Sequence, residues 1–171
     1  LLWIDISRTV ALLGMIIFHF VRDLELFAII EAGTTTQGAW EVFARLVAGA
    51  FLFIAGVSFV LAHQSGFQPI PWAKRLFMVS GAAAIVTLVT FIAVPDRFIY
   101  FGILHAIAAA SVIAVAMLAL SGWVLVLFAV LIVCADNLWS PSVISSPVLA
   151  WIGLASTNRP SLDFIPLIPW L

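Results

Sequence analysis

Charge is scarce in this chain. Seven Lys and Arg and eight Asp and Glu, 9% of 171 residues, are too few polar groups to cover a globular surface facing water. The net charge of −1 and the scattering of the basic residues exclude the positive field that a nucleic-acid partner needs. One cysteine, Cys134, lies in an apolar run, which excludes an intrachain disulfide framework and a cysteine-built metal site. With no i,i+4 histidine pair and no HExxH spacing, no metal is expected. A basic leader is missing as well. Asp5 and Arg8 interrupt the stretch from Leu1 to Val21, which therefore reads as a mature span and not as a signal peptide.

Apolar length is abundant. Hydrophobic residues make up 65% of the chain and the mean hydropathy is +1.26. A bilayer core of roughly 30 Å takes about 20 apolar helical residues per crossing, and stretches of that length recur. They predict an all-α, polytopic transmembrane helix bundle whose main partner is the lipid bilayer. Candidate spans are 3–21, 40–62, 73–94, 99–120 and 123–139, about five in full, with the start of a sixth at 164. They form a single membrane domain over 1–171, expected to be part of a longer chain.

The polar breaks between spans are Arg22 to Gly38, the turn His63 to Gly66 with Pro69 and Pro71, Pro95-Asp96-Arg97, and Ser121-Gly122. Proline cannot continue a helix interior, so the third span is expected to begin after Pro71 and to form a hairpin with the fourth. Val148 to Ala155 is too short to cross and is expected to be interfacial or re-entrant. Basic residues tie between the two sides: an inside N-terminus puts Arg8, Lys74 and Arg75 inside and Arg22, Arg97 and Arg159 outside. The adjacent pair Lys74-Arg75 breaks the tie in favour of a cytoplasmic N-terminus.

Ionisable residues inside spans cost roughly 2.5–3.5 kcal/mol each on insertion scales and mark bundle interiors or aqueous paths. Asp5, Arg8 and His19 share one stripe of the first span, expected to face protein. Arg8 and His19 lie within about 20° around a helix but about 16 Å apart along it, so they bracket a site without touching. His19 can act as a general base, because an unperturbed imidazole titrates near neutrality; alternatively it ties helices together as a neutral hydrogen-bonding group. His105 stands in the fourth span beyond Arg97, and either bonds a neighbouring helix or contacts substrate. Glu41 and Arg45, at i,i+4, are expected to pair, with Arg45 still able to reach an anion. Gly49, Gly56 and Ser58 permit close helix packing. Asp163 precedes a proline-initiated apolar segment, where a carboxylate needs no catalytic explanation.

Asp5-x-x-Arg8 with ten residues before His19 resembles the Arg-x10-His signature of acyltransferase-3 membrane proteins. Phe51-Leu52-Phe53-Ile54-Ala55-Gly56-Val57-Ser58, Tyr100-Phe101-Gly102-Ile103-Leu104-His105 and Asp163-Phe164-Ile165-Pro166-Leu167-Ile168-Pro169-Trp170 resemble, in order, bacterial members of the heparan-alpha-glucosaminide N-acetyltransferase-like catalytic domain family. Two positions depart: Thr9 follows Arg8 where Arg-Gly is frequent, and His19 stands where the animal lysosomal members carry Asn. The resemblance implies a bacterial inner-membrane enzyme that takes an acetyl or other acyl group from a coenzyme A thioester, its donor substrate, to a small glycan-type acceptor. His19 would be the base, Asp5 and Arg8 would orient the donor, and His105, Arg97, Asp163 and Arg45 would contact substrate. Two other classes fit the same residues: a proton-coupled transporter or permease using the intramembrane Asp, Arg and His, and a non-catalytic membrane subunit. Homo-oligomers are compatible with each.

Overall fold

A computed structural model of the chain describes residues 2–138, 147–153 and 160–170. Five long helices follow one another: α1 Leu2–Leu26, α2 Gly38–Ala62, α3 Pro69–Ala93, α4 Ile103–Met117 and α5 Gly122–Leu138. Short 3₁₀ turns lie at Thr34–Thr36 and Pro147–Ile152, and a last helical turn, α6, spans Leu167–Trp170. Among the described residues no β-strand forms beyond one isolated parallel bridge, Phe101 to Phe164. The helices belong to two compact units, Leu1–Leu61 and Ala62–Leu171.

Helices α1, α2 and α3 have 25 residues each and are apolar enough to cross a membrane. At 1.5 Å rise per residue each is about 37 Å long. Their outer faces carry large apolar side chains left open, among them Val10, Ile17 and Phe20 on α1 and Phe77, Ile85 and Ile92 on α3. Such surface suits a lipid environment, and the three helices fit an integral membrane protein. The 15 residues of α4 and 17 of α5 fall short of a full crossing, so length and composition support three spans where the sequence suggested about five.

Three helix boundaries differ from expectation. Helix α1 continues through Arg22 and Asp23 to Leu26, because its end is built into the following loop. Ala28 adopts a left-handed φ of 56°; its N–H bonds the Glu25 carbonyl at 3.0 Å, and the Ile29 N–H bonds that of Leu24 at 2.9 Å, the pair of bonds of a Schellman motif. Helix α3 begins at Pro69, not after Pro71, because proline in a first turn lacks only an N–H that would go unpaired there. Helix α4 begins at Ile103 and not near Ile99, since Ile99 to Gly102 are held in other bonds described below. Trp139 and part of Val148 to Ala155, residues 154 and 155, lie outside the described residues.

In the first unit α1 and α2 approach at Gly14, where a Cβ would come within 2.8 Å of Val47 Cγ2. In the second, α3 and α4 form the expected hairpin. Trp72, at the start of α3, donates from Nε1 to the Ser111 carbonyl at 3.3 Å, while Thr87, further along, meets His105 at the start of α4. Ala83, Ala106 and Ile107 are buried, so small side chains at the helix contact let the backbones come close.

Candidate active site

The polar stripe of α1 is present, and the structure gives it a partner. Arg8 donates from Nη1 to Asp5 Oδ1 at 3.3 Å and from Nη2 to Ser58 Oγ on α2 at 2.6 Å. Ser58, buried, donates in turn to the Ile54 carbonyl at 2.5 Å. The charge that α1 carries into the membrane is thus shared with the neighbouring helix, which lowers its desolvation cost. Asp5 and Arg8 remain 65% and 48% exposed, so the stripe stays accessible along one side. Ser58 was read from sequence only as a packing residue; Arg8 to Ser58 spans 50 positions, and no local spacing reports such a pair.

His19 lies on the same helix, exposed. Its ring meets Phe18 edge-on with centroids 5.8 Å apart, and among the described residues neither nitrogen takes part in a hydrogen bond. Arg45 donates to Glu41 Oε1 at 2.5 Å, as their i,i+4 spacing predicts.

At the loop end of α1, Glu25 gathers three donors: the Gly33 N–H at 2.8 Å on Oε1, and the Thr35 N–H at 2.9 Å and Thr35 hydroxyl at 2.5 Å on Oε2. Thr35 is 2% exposed. Its hydroxyl also accepts from Arg22 Nη1 at 2.8 Å. The sequence marked this stretch only as a polar loop, because the acceptor and its donors are eight to ten residues apart and no periodic pattern links them.

The second unit brings His105, Asp163 and the backbone of Arg97 to the start of α4. The Gly102 N–H donates to His105 Nδ1 at 3.2 Å. His105 Nε2 lies 3.1 Å from Thr87 Oγ1, whose hydroxyl proton goes to the Ile99 carbonyl at 2.8 Å. A ring that accepts at Nδ1 and faces a hydroxyl already donating elsewhere must carry its proton on Nε2. Both nitrogens are therefore engaged, with His105 standing three residues after the N-cap, where a capping-box side chain reaches back.

Asp163 accepts the Ile103 N–H, the first of α4, on Oδ2 at 3.2 Å, so it caps α4 from 60 positions away. Gly102 is required there: a Cβ would run into that carboxylate and lie 2.9 Å from Ile99 Cγ2. The Leu162 N–H bonds the Arg97 carbonyl at 2.8 Å and the Ile165 N–H that of Phe101 at 3.2 Å, and the Tyr100 and Phe164 rings lie 5.3 Å apart. The Arg97 side chain is exposed. Tyr100-Phe101-Gly102-Ile103-Leu104-His105 and Asp163-Phe164-Ile165 are thus two sides of one joint, and each needs the other's residue types. A glycine three positions before a histidine is the one local cue to it.

Among the described residues no group of three or more His, Cys, Asp or Glu side chains could hold a metal ion. Long apolar helices with an Asp, an Arg and a His along the first of them fit the class of α-helical membrane proteins with ionisable groups on their spans. The family model described as heparan-alpha-glucosaminide N-acetyltransferase, catalytic, matches residues 1–171, and the chain belongs to that family. No curated protein and no solved structure matches it.

Proposed function

We propose that the protein is a membrane acyltransferase that moves an acetyl or other acyl group from a coenzyme A thioester to a glycan-type acceptor, with His19 as general base. The observation that carries this reading is the family match over the whole chain, joined to the presence on a spanning helix of one histidine whose ring nitrogens are uncommitted among the described residues. His19 takes the proton of the acceptor hydroxyl or amine as that atom attacks the thioester carbonyl carbon. The C–S bond breaks, coenzyme A leaves as a thiolate, and the imidazolium returns the proton to sulfur. Arg8, held by Asp5 and Ser58, presents its remaining N–H donors to an anionic part of the donor. Within the first unit Arg45 offers an exposed cation to substrate, and within the second unit Arg97 offers another, while His105 and Asp163 keep the start of α4 in place. In this reading the protein lies in the bacterial inner membrane with the N-terminus cytoplasmic.

The test is release of free coenzyme A from acetyl-coenzyme A by the full-length protein in membranes, wild type against His19→Ala. Release that falls by about 10²- to 10⁴-fold in the variant, the range for loss of a general base, supports the reading. Equal release by the variant removes His19 as base. No release with any acceptor, together with proton flux dependent on Asp5, Arg8 and His19, would establish the transporter in its place.

A further inference from the structure

Because α1 continues past the point where the apolar run ends, Arg22 is helical and stands three residues beyond His19, about 4.5 Å along the axis and about 60° around it. It is half-buried, and the one hydrogen bond it makes among the described residues is to Thr35. That hydroxyl cannot turn away, because Glu25 holds it together with the Thr35 and Gly33 N–H groups. Both carboxylate oxygens of Glu25 are engaged in this clamp, and no carboxylate among the described residues pairs with Arg22 within salt-bridge distance. The chain therefore keeps a guanidinium in a set position, one turn from the imidazole of His19, with four of its five N–H donors unfilled among the described residues.

A cation that served only to fasten the loop would gain more from a direct ion pair with Glu25 than from a neutral hydroxyl. Glu25 instead fastens the loop and acts on Arg22 only through space, while the loop hydroxyl holds the guanidinium. We infer that Arg22 forms an oxyanion-binding subsite beside His19, preset by the Glu25–Thr35 clamp, that receives a phosphate or carboxylate of a substrate. This rests on the transferase reading for the nature of the substrates and on the clamp geometry for the subsite. Arg8 stands about 21 Å from Arg22 along α1, too far for one compact anion to meet both, so Arg22 is a separate point of recognition.

The experiment uses the full-length protein in lipid nanodiscs as wild type, Arg22→Gln, Arg22→Lys, Thr35→Val and Thr35→Ser. Acetyl-coenzyme A is the donor, with a neutral hexosaminide and a glucuronate-terminated one as acceptors. Arg22→Gln is expected to raise KM about 10- to 100-fold for the substrate carrying the oxyanion, as loss of charge-assisted hydrogen bonds does, with kcat changed by less than about threefold. Arg22→Lys recovers part of the loss; Thr35→Val reproduces part of it, and Thr35→Ser does not. A rise confined to acetyl-coenzyme A assigns the oxyanion to the donor phosphates, and one confined to the glucuronate acceptor assigns it to the acceptor. Unchanged KM values for every substrate in Arg22→Gln overturn the subsite. Should wild type turn nothing over, calorimetric binding of coenzyme A and of glucuronate decides separately. Binding that Arg22→Gln abolishes keeps the subsite while the transferase reading falls, and absent or equal binding in both proteins overturns it.

Discussion

A histidine is defined chemically by what its two ring nitrogens touch, and the two histidines of the helices differ there. His105 has Gly102 on one side and Thr87 on the other, whereas His19 has only the edge of Phe18. The same residue type is thus a helix-start brace in one place and, among the described residues, a ring without hydrogen-bond partners in another. His105→Ala is expected to lower the stability of the detergent-solubilised protein by about 1–3 kcal/mol, since it leaves the Gly102 N–H without its acceptor. His19→Ala should leave the melting temperature unchanged while lowering turnover by about 10²- to 10⁴-fold. A thermal melt of both variants beside the coenzyme A assay checks the contrast, and equal destabilisation by the two would contradict it. Gly102→Ala is expected to destabilise by about 1–3 kcal/mol, because the new methyl meets the Asp163 carboxylate; a melt indistinguishable from wild type would show that the joint opens freely.

Helix ends here are set in different ways, by a distant side chain at α4 and by backbone bonds of the following turn at α1. Helix α4 starts at Ile103 because Asp163 accepts its N–H. Asp163→Ala should cost about 0.5–2 kcal/mol, the usual range for a lost N-cap, and speed amide exchange across Ile103 to Ala106 more than across α2. Exchange raised uniformly over the chain would argue against a local cap. Helix α1 ends in a Schellman motif with alanine in the left-handed position, a conformation that costs a non-glycine residue roughly 1–2 kcal/mol. Ala28→Gly is therefore expected to raise stability by about 0.5–1 kcal/mol after the entropy glycine loses on folding, read as an upward shift in melting temperature. A downward shift would mean that the methyl group of Ala28 matters more than the backbone.

For the molecule as a whole, α2 is a 25-residue apolar helix between the Thr34–Thr36 turn and the His63 to Gly66 turn. In a Cys134→Ser background, a cysteine at Gln37 and one at Gln64 should react with a membrane-impermeant thiol reagent from opposite faces of the bilayer. Labelling of both from one face would remove α2 as a crossing. The same pair reports orientation, with Gln64 on the cytoplasmic face under the topology that Lys74-Arg75 favours.

Composition and apolar run length settled the environment and the helical class by themselves, because a chain with so little charge must leave apolar surface in lipid and must satisfy its backbone within helices. They also placed four of the five long helices to within about four residues, the usual margin for element boundaries; α1 overran its apolar run by five. The Arg45–Glu41 pair was legible too, since i,i+4 spacing is a local fact. What only the tertiary structure decided was which polar residues are already committed to one another. Arg8 with Ser58, Glu25 with Thr35, Thr87 with His105 and Asp163 with Ile103 are joined across loops or between helices, by contacts that periodicity does not encode. That partition leaves His19 and most of Arg22 without hydrogen-bond partners among the described residues, and it arises because buried polar groups must find partners wherever the folded chain supplies them.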